Sequence, residues 1–159
     1  MPETATIYRN PQGRLVVETR FRVRFCETDA MGIVHHASYL TWFEEGRSAF
    51  TRAIGYPYSE MERDGVALAV AEVHARYNRS ARYDEEVSVA TCLEEFPSRG
   101  MTFSYAVRRA ADGALLVSGS TKHIAVDAAG RVQRIPDAMR ARILEGGNWK
   151  LEAGRNTAT

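Results

Sequence analysis

From residue 37 to residue 54, apolar side chains recur at three- and four-residue steps, through Tyr39, Leu40, Trp42, Phe43, Gly46, Ala49, Phe50, Ala53 and Ile54. That spacing predicts a helix of about five turns with a broad buried face. Thr41, Glu44, Glu45, Ser48, Thr51 and Arg52 gather on the other side, and Gly55 and Pro57 supply the stop. After Gly65 the pattern changes to strands over residues 66–77, 86–96, 101–109 and 114–126, each rich in β-branched or aromatic residues. A long helix with one apolar side, followed by a run of strands, must bury that side on the sheet they form.

A further strand precedes the helix. Residues 19–26, TRFRVRFC, set Phe21, Val23 and Phe25 against Arg20, Arg22 and Arg24, the period of two of a half-buried strand. The expected architecture is α+β, an antiparallel five-stranded sheet wrapped around one long central helix. Asp112-Gly113, residues 98–100 and residues 127–130 are the turns, and consecutive strands joined so shortly are expected to pair antiparallel. Asn10-Pro11-Gln12-Gly13 marks a turn between residues 6–8 and 15–17, consistent with a short hairpin or an extended lead-in. Short helices are expected at 59–63 and 136–144. The division is then a lead-in over 1–18, one domain over 19–145, and a poorly ordered tail over 146–159. Both sheet edges stay open, so at least a homodimer is expected.

Composition narrows the function. A formal charge of +1 over 159 residues gives no global field for a polyanion, which disfavours nucleic acid. Cys26 and Cys92 lie far apart without CxxC spacing, so neither a disulfide framework nor a four-thiolate zinc site is expected. No stretch is apolar for long enough to span a bilayer, and the N-terminus lacks the apolar core of a signal peptide. A cytoplasmic protein is the expectation. With no G-x-S-x-G, no G-x-G-x-x-G and no P-loop, a serine hydrolase and a nucleotide site both lose their sequence support.

Between the first strand and the helix runs ETDAMGIVHHASY, with an acid at one end and a helix start at the other. Free N–H groups in a helix's first turn stabilise negative charge on a bound carbonyl oxygen. Asp29, seven residues before His36, could face such a carbonyl, and Gly32 allows the turn that folds the acid back.

ETDAMGIVHHASYLTWFEEGR resembles the 4-hydroxybenzoyl-CoA thioesterase-like hotdog family, most of all its Tol-Pal-associated acyl-CoA thioesterase branch. The pattern D-x-x-G-[IV]-V-x-[HY]-x-x-Y is filled at every position from Asp29 to Tyr39. The resemblance implies an acyl-CoA thioesterase without a cofactor, acting on an acyl-CoA or on an acyl carrier protein, and assembled as a homodimer or homotetramer. It implies that Asp29 is the essential carboxylate, as nucleophile or as general base for water, and that the His36 backbone amide polarises the thioester carbonyl. It places Gly32, Ile33, Val34, His35 and Tyr39 along the substrate. Glu44 stands where the hydroxybenzoyl enzyme reads a ring hydroxyl with an acid. The family's basic loop for the CoA phosphates keeps only Arg99 here, and Arg76, Arg79, Arg82 or Lys122 are its replacements.

Plainer readings stand beside these. Asp29 could cap a turn, Glu44 and Arg47 could form an i,i+3 ion pair, and Cys26 reads as a small buried hydrophobe. His35 and His36 are adjacent and point different ways, which speaks against a metal. A hotdog hydratase lacks its own His-and-acid pattern here, and a non-catalytic acyl-CoA or protein-binding module would not need the carboxylate.

Overall fold

The structure is a computed structural model and describes residues 5–147. Where the apolar steps recur, helix α1 spans Ser38–Ala53 and buries Tyr39, Trp42, Phe43, Gly46, Ala49 and Phe50. Leu40, about 100° round the helix from Tyr39, is exposed instead. The strands are β1 (Thr6–Arg9), β2 (Leu15–Arg22), β3 (Ala67–Tyr77), β4 (Glu86–Glu95), β5 (Gly100–Arg109) and β6 (Leu115–Val126). All pair antiparallel in one sheet of order β1-β2-β4-β5-β6-β3. Short helices α2 (Tyr58–Arg63) and α3 (Asp137–Gly146) close one end.

This is the expected α+β arrangement, with three differences in detail. The sheet has six strands, because the turn at Asn10–Gly13 closes a true hairpin: Asn10 Oδ1 accepts from the Gln12 and Arg14 amides. The boundary drawn at residue 19 therefore falls inside β2, whose Leu15, Val16 and Val17 are buried.

The strand read as 19–26 ends at Arg22, and Phe25–Glu27 is a turn of 3-10 helix. Phe25 is 75% exposed and Cys26 is exposed, so neither joins the core as the alternation implied. Glu27 bends the chain there by accepting from the Arg24 backbone N–H at 2.8 Å.

Consecutive pairing holds for β4, β5 and β6, but β3 pairs with β6 at the sheet edge. The segment 78–85 carries the chain back across to β4, a crossover that strand patterns alone do not specify. Most of the expected tail lies outside the described residues. Among them, no helix is long and apolar enough to cross a membrane.

The helix lies close on the sheet because residue 46 has no side chain. A β-carbon at Gly46 would collide with Thr91 Oγ1 and Val89 Cγ1 of β4. Phe43 stacks on Tyr105 of β5 with ring centroids 4.4 Å apart, and Phe50 meets Phe103 edge-on at 5.6 Å. These contacts fix how far α1 projects over the sheet, and so where its N-terminus presents its amides.

Candidate active site

Residues 27–35 fold back on themselves as a small hairpin. The His35 amide donates to the Glu27 carbonyl at 2.8 Å, Thr28 bridges Val34, and the Asp29 amide donates to the Ile33 carbonyl at 2.9 Å. At the tip Gly32 takes φ +74°, a left-handed conformation that a side chain makes costly. Asp29 therefore sits on one arm of the hairpin, and the other arm leads through His35 and His36 straight into α1.

The Asp29 carboxylate does part of what the plain reading expected. Its Oδ1 accepts from the Met31 amide at 2.8 Å and fixes the turn. Oδ2 has no protein donor among the described residues. On the facing arm, Tyr77 of β3 donates to the His36 carbonyl at 2.9 Å and holds that peptide in place. Among the described residues the His36 N–H has no acceptor, as befits the orphan donors at a helix start. The His35 ring lies against that of His36 at 4.2 Å, and its Nδ1 accepts from the Ala37 amide.

Glu27 was not singled out by the sequence, yet it anchors the whole loop. It is 6% exposed, and its Oε1 accepts from the Trp42 indole at 2.9 Å and from Arg24 Nη2 at 2.9 Å. Burial works against its charge, but the hydrogen bonds from the Arg24 backbone, the Trp42 indole and the Arg24 guanidinium outweigh it and hold the carboxyl below its ordinary range. Its backbone carbonyl also accepts from the Ser38 hydroxyl, tying loop to helix. Only the fold brings Trp42 to it, so no spacing rule could have found it.

The other expected residues separate into groups. Val34 and Tyr39 are buried; the Val34 N–H donates a hydrogen bond to the Ala81 carbonyl, and the Tyr39 hydroxyl accepts one from the Ala81 amide. They hold the loop from beneath. Gly32, half-buried Ile33 and exposed His35 remain on the open side, and Glu44 lies farther along α1 with its side chain 68% exposed. Arg82 Nη1 reaches towards the Gly32 carbonyl at 3.5 Å, and Arg76 and Arg79 lie near the end of β3 that holds His36. Arg99 precedes β5 at the opposite end of the sheet, about 30 Å away along β4. Lys122 lies in β6, paired with Glu72 and Thr102. A cavity of about 280 Å³ beside α3, lined by Tyr56, Asp64 and Arg142 among others, includes none of these residues.

Comparison with known proteins bears on the family and the fold. Residues 23–143 match the family described as the thioesterase-like superfamily. The chain is 37% identical over 112 residues to a candidate acyl-CoA thioesterase of Bacillus subtilis, YneP, covering 70% of this chain and 80% of that one. The acyl-CoA thioester hydrolase YbgC of Escherichia coli is 26% identical over 106 residues, covering 67% and 78%. Among solved structures, a hypothetical protein from Thermus thermophilus superposes with TM-score 0.74 at 38% identity, covering 79% of this chain and 95% of that one. The DHNA-CoA thioesterase of Staphylococcus aureus superposes with TM-score 0.73 at 27% identity, covering 86% and 97%. A match over most of the chain, together with a sheet wrapped on one long helix, means that the chain belongs to the thioesterase-like superfamily of hotdog proteins.

Proposed function

We propose that this chain is an acyl-CoA thioesterase, cleaving a thioester with water to a carboxylic acid and CoA. The observation that carries the reading is that one small hairpin sets side by side in the chain a carboxylate oxygen and a helix-start amide that none of the described residues engages. In this reading the thioester carbonyl oxygen accepts from the His36 N–H, where the α1 dipole favours negative charge as the tetrahedral intermediate forms. Asp29 attacks the carbonyl carbon through Oδ2, giving an anhydride that water opens, or takes the proton from an attacking water. Both routes need the charged carboxylate. The thiolate of CoA leaves, and no cofactor takes part.

Arg76, Arg79 and Arg82 stand at the loop end of the sheet and are the reading's contacts for the CoA phosphates. Arg99 could serve only from another copy. A homodimer supplies that copy: β3 is paired on one side alone, and Leu40, Val70, Val73 and Tyr77 are exposed on and beside it. The loop motif resembles that of the Tol-Pal-associated branch, whose YbgC relative is 26% identical against 37% for YneP, and the chemistry does not depend on branch membership.

Release of free thiol from benzoyl-, hydroxybenzoyl-, short-chain and long-chain acyl-CoAs tests the reading. Turnover of at least one class supports it and names the acyl group. Tight binding of all of them without any thiol release favours a binding module instead.

A further inference from the structure

Next to the hairpin stands an aromatic pair that the core does not use. Phe25 is 75% exposed and Tyr83 59%, and their rings meet edge to face with centroids 5.7 Å apart. Phe43 with Tyr105, and Phe50 with Phe103, pack inside the core instead. Two large rings left in water bury little of their surface and so contribute little to folding, but they present a flat apolar platform on which a third ring can lie.

The backbone holds this platform in place. Tyr83 lies in a turn that is pinned to the chain around Phe25: the Asp84 N–H donates to the Val23 carbonyl at 3.0 Å, the Val23 N–H to the Glu85 carbonyl at 2.9 Å, and Arg22 Nη1 to the Asp84 carbonyl at 2.8 Å. Asp84 takes φ +66° there, a left-handed conformation that costs a residue with a side chain. A turn fixed in this way loses little freedom when a ligand settles on it. Its flanking cations are also uncommitted. Arg22 and Arg82 reach towards the backbone carbonyls of Asp84 and Gly32, and neither meets a carboxylate among the described residues. Arg24 and Arg109 nearby are neutralised by Glu27 and Glu85. Arg82 thus links the platform to the hairpin tip, and Phe25 precedes Asp29 by four residues, at most about 14 Å of chain. Arg99 lies about 30 Å off, at the other end of the sheet.

We propose that Phe25 and Tyr83 form the stacking platform for the adenine of a CoA thioester, with the diphosphate held against Arg82. The platform selects the carrier, because a thioester on a bare pantetheine arm or on a carrier protein has no base to lay there. The inference rests on the thioesterase reading for its ligand, but its test does not need turnover. Acetonyl-CoA and S-acetonylpantetheine are thioethers that cannot be hydrolysed; they share a small acyl mimic and differ by the nucleotide. In titration calorimetry the wild-type chain should bind acetonyl-CoA at least about tenfold more tightly than S-acetonylpantetheine. Tyr83→Ala should weaken acetonyl-CoA by about tenfold and leave S-acetonylpantetheine within about twofold, and Phe25→Ala should act in the same direction. Tyr83→Trp, which keeps a flat ring, should retain the affinity. The adenine H2 and H8 proton signals should move upfield on binding to wild type and not to Tyr83→Ala, as expected for a base lying on a ring.

Equal weakening of both ligands by Tyr83→Ala would show a merely structural role and overturn the proposal. So would a wild type that binds the two alike or binds neither, or a nucleotide preference that survives Tyr83→Ala and disappears in Arg99→Ala. If Tyr83→Ala fails to fold, Tyr83→Leu takes its place, with a reduced preference expected and an unchanged one contradicting. A preference that depends on Tyr83 in a chain that releases no thiol from any acyl-CoA would remove the enzymatic reading and leave this one standing. Thiol release by a chain that binds both ligands alike would do the reverse.

Discussion

Among the carboxylates around the loop, Glu27 is the one whose charge is buried, and the donors of Arg24 and Trp42 hold its carboxyl in the charged form. Its folded pKa lies below the unfolded one, so its contribution is present at neutral pH and is lost as pH falls through the acid range. Glu27→Gln keeps the shape and leaves a buried donor unpaired, which should cost about 2 kcal/mol in denaturant unfolding. Because the hairpin hangs on this residue, the same variant should lower kcat/KM by roughly tenfold or more through misplacement alone. Unchanged stability would mean that solvent replaces those bonds. His123 is the second buried titrating group: burial, then the Arg47 charge, push it down to about 4 from an ordinary 6.5. The unfolded chain therefore binds the proton first, and stability should decline as pH drops from about 6.5 to about 4, by at most about 3 kcal/mol. His123→Phe should flatten that slope in unfolding measurements across the interval, and an unaltered slope would assign it to other groups. Neither residue was legible beforehand. Asp29 stood out because a motif surrounds it, whereas Glu27 and His123 acquire their properties from residues remote in sequence.

At the scale of elements, α1 was the most legible part of the chain, because periodic burial over five turns leaves few alternatives. Its position on the sheet was not, since the close approach turns on Gly46 facing Thr91 and Val89. In an exposed helix Gly46→Ala would gain about 1 kcal/mol from propensity. Here the added methyl has no room, and the variant should instead lose about 2 kcal/mol by thermal or denaturant unfolding. A stabilised variant would show that the helix shifts freely and would undo the argument that it fixes the loop. Where the sequence misled, two patterns overlapped: the alternation of residues 19–26 runs on past the point where Arg24 and Glu27 bend the chain into a 3-10 turn. The order of strands was hidden for another reason. Hydrophobic runs mark strands but not their neighbours, and only assembly shows that β3 goes to the edge.

For the whole molecule, the long open edge at β3 and the apolar side chains beside it are the features a single copy leaves unfinished. A dimer of the 17.8 kDa chain is expected in sedimentation, shifted towards monomer by Val73→Lys, a charge that a paired edge tolerates poorly. A wild type that sediments as a monomer at micromolar concentration would leave the second copy without a role. The proposed chemistry lies at one end of the molecule, where the Asp29 hairpin meets the start of α1, and it depends on this carboxylate. The most direct test is thiol release from the preferred acyl-CoA by wild type and by Asp29→Asn, with folding checked by circular dichroism. Asparagine can still accept the Met31 amide and fix the turn, but it is neither nucleophile nor base. Turnover should be at least about a hundredfold lower in the variant, about 2.7 kcal/mol of lost transition-state stabilisation, with the fold intact. Turnover within a few fold of wild type would contradict this and leave Asp29 as a turn cap.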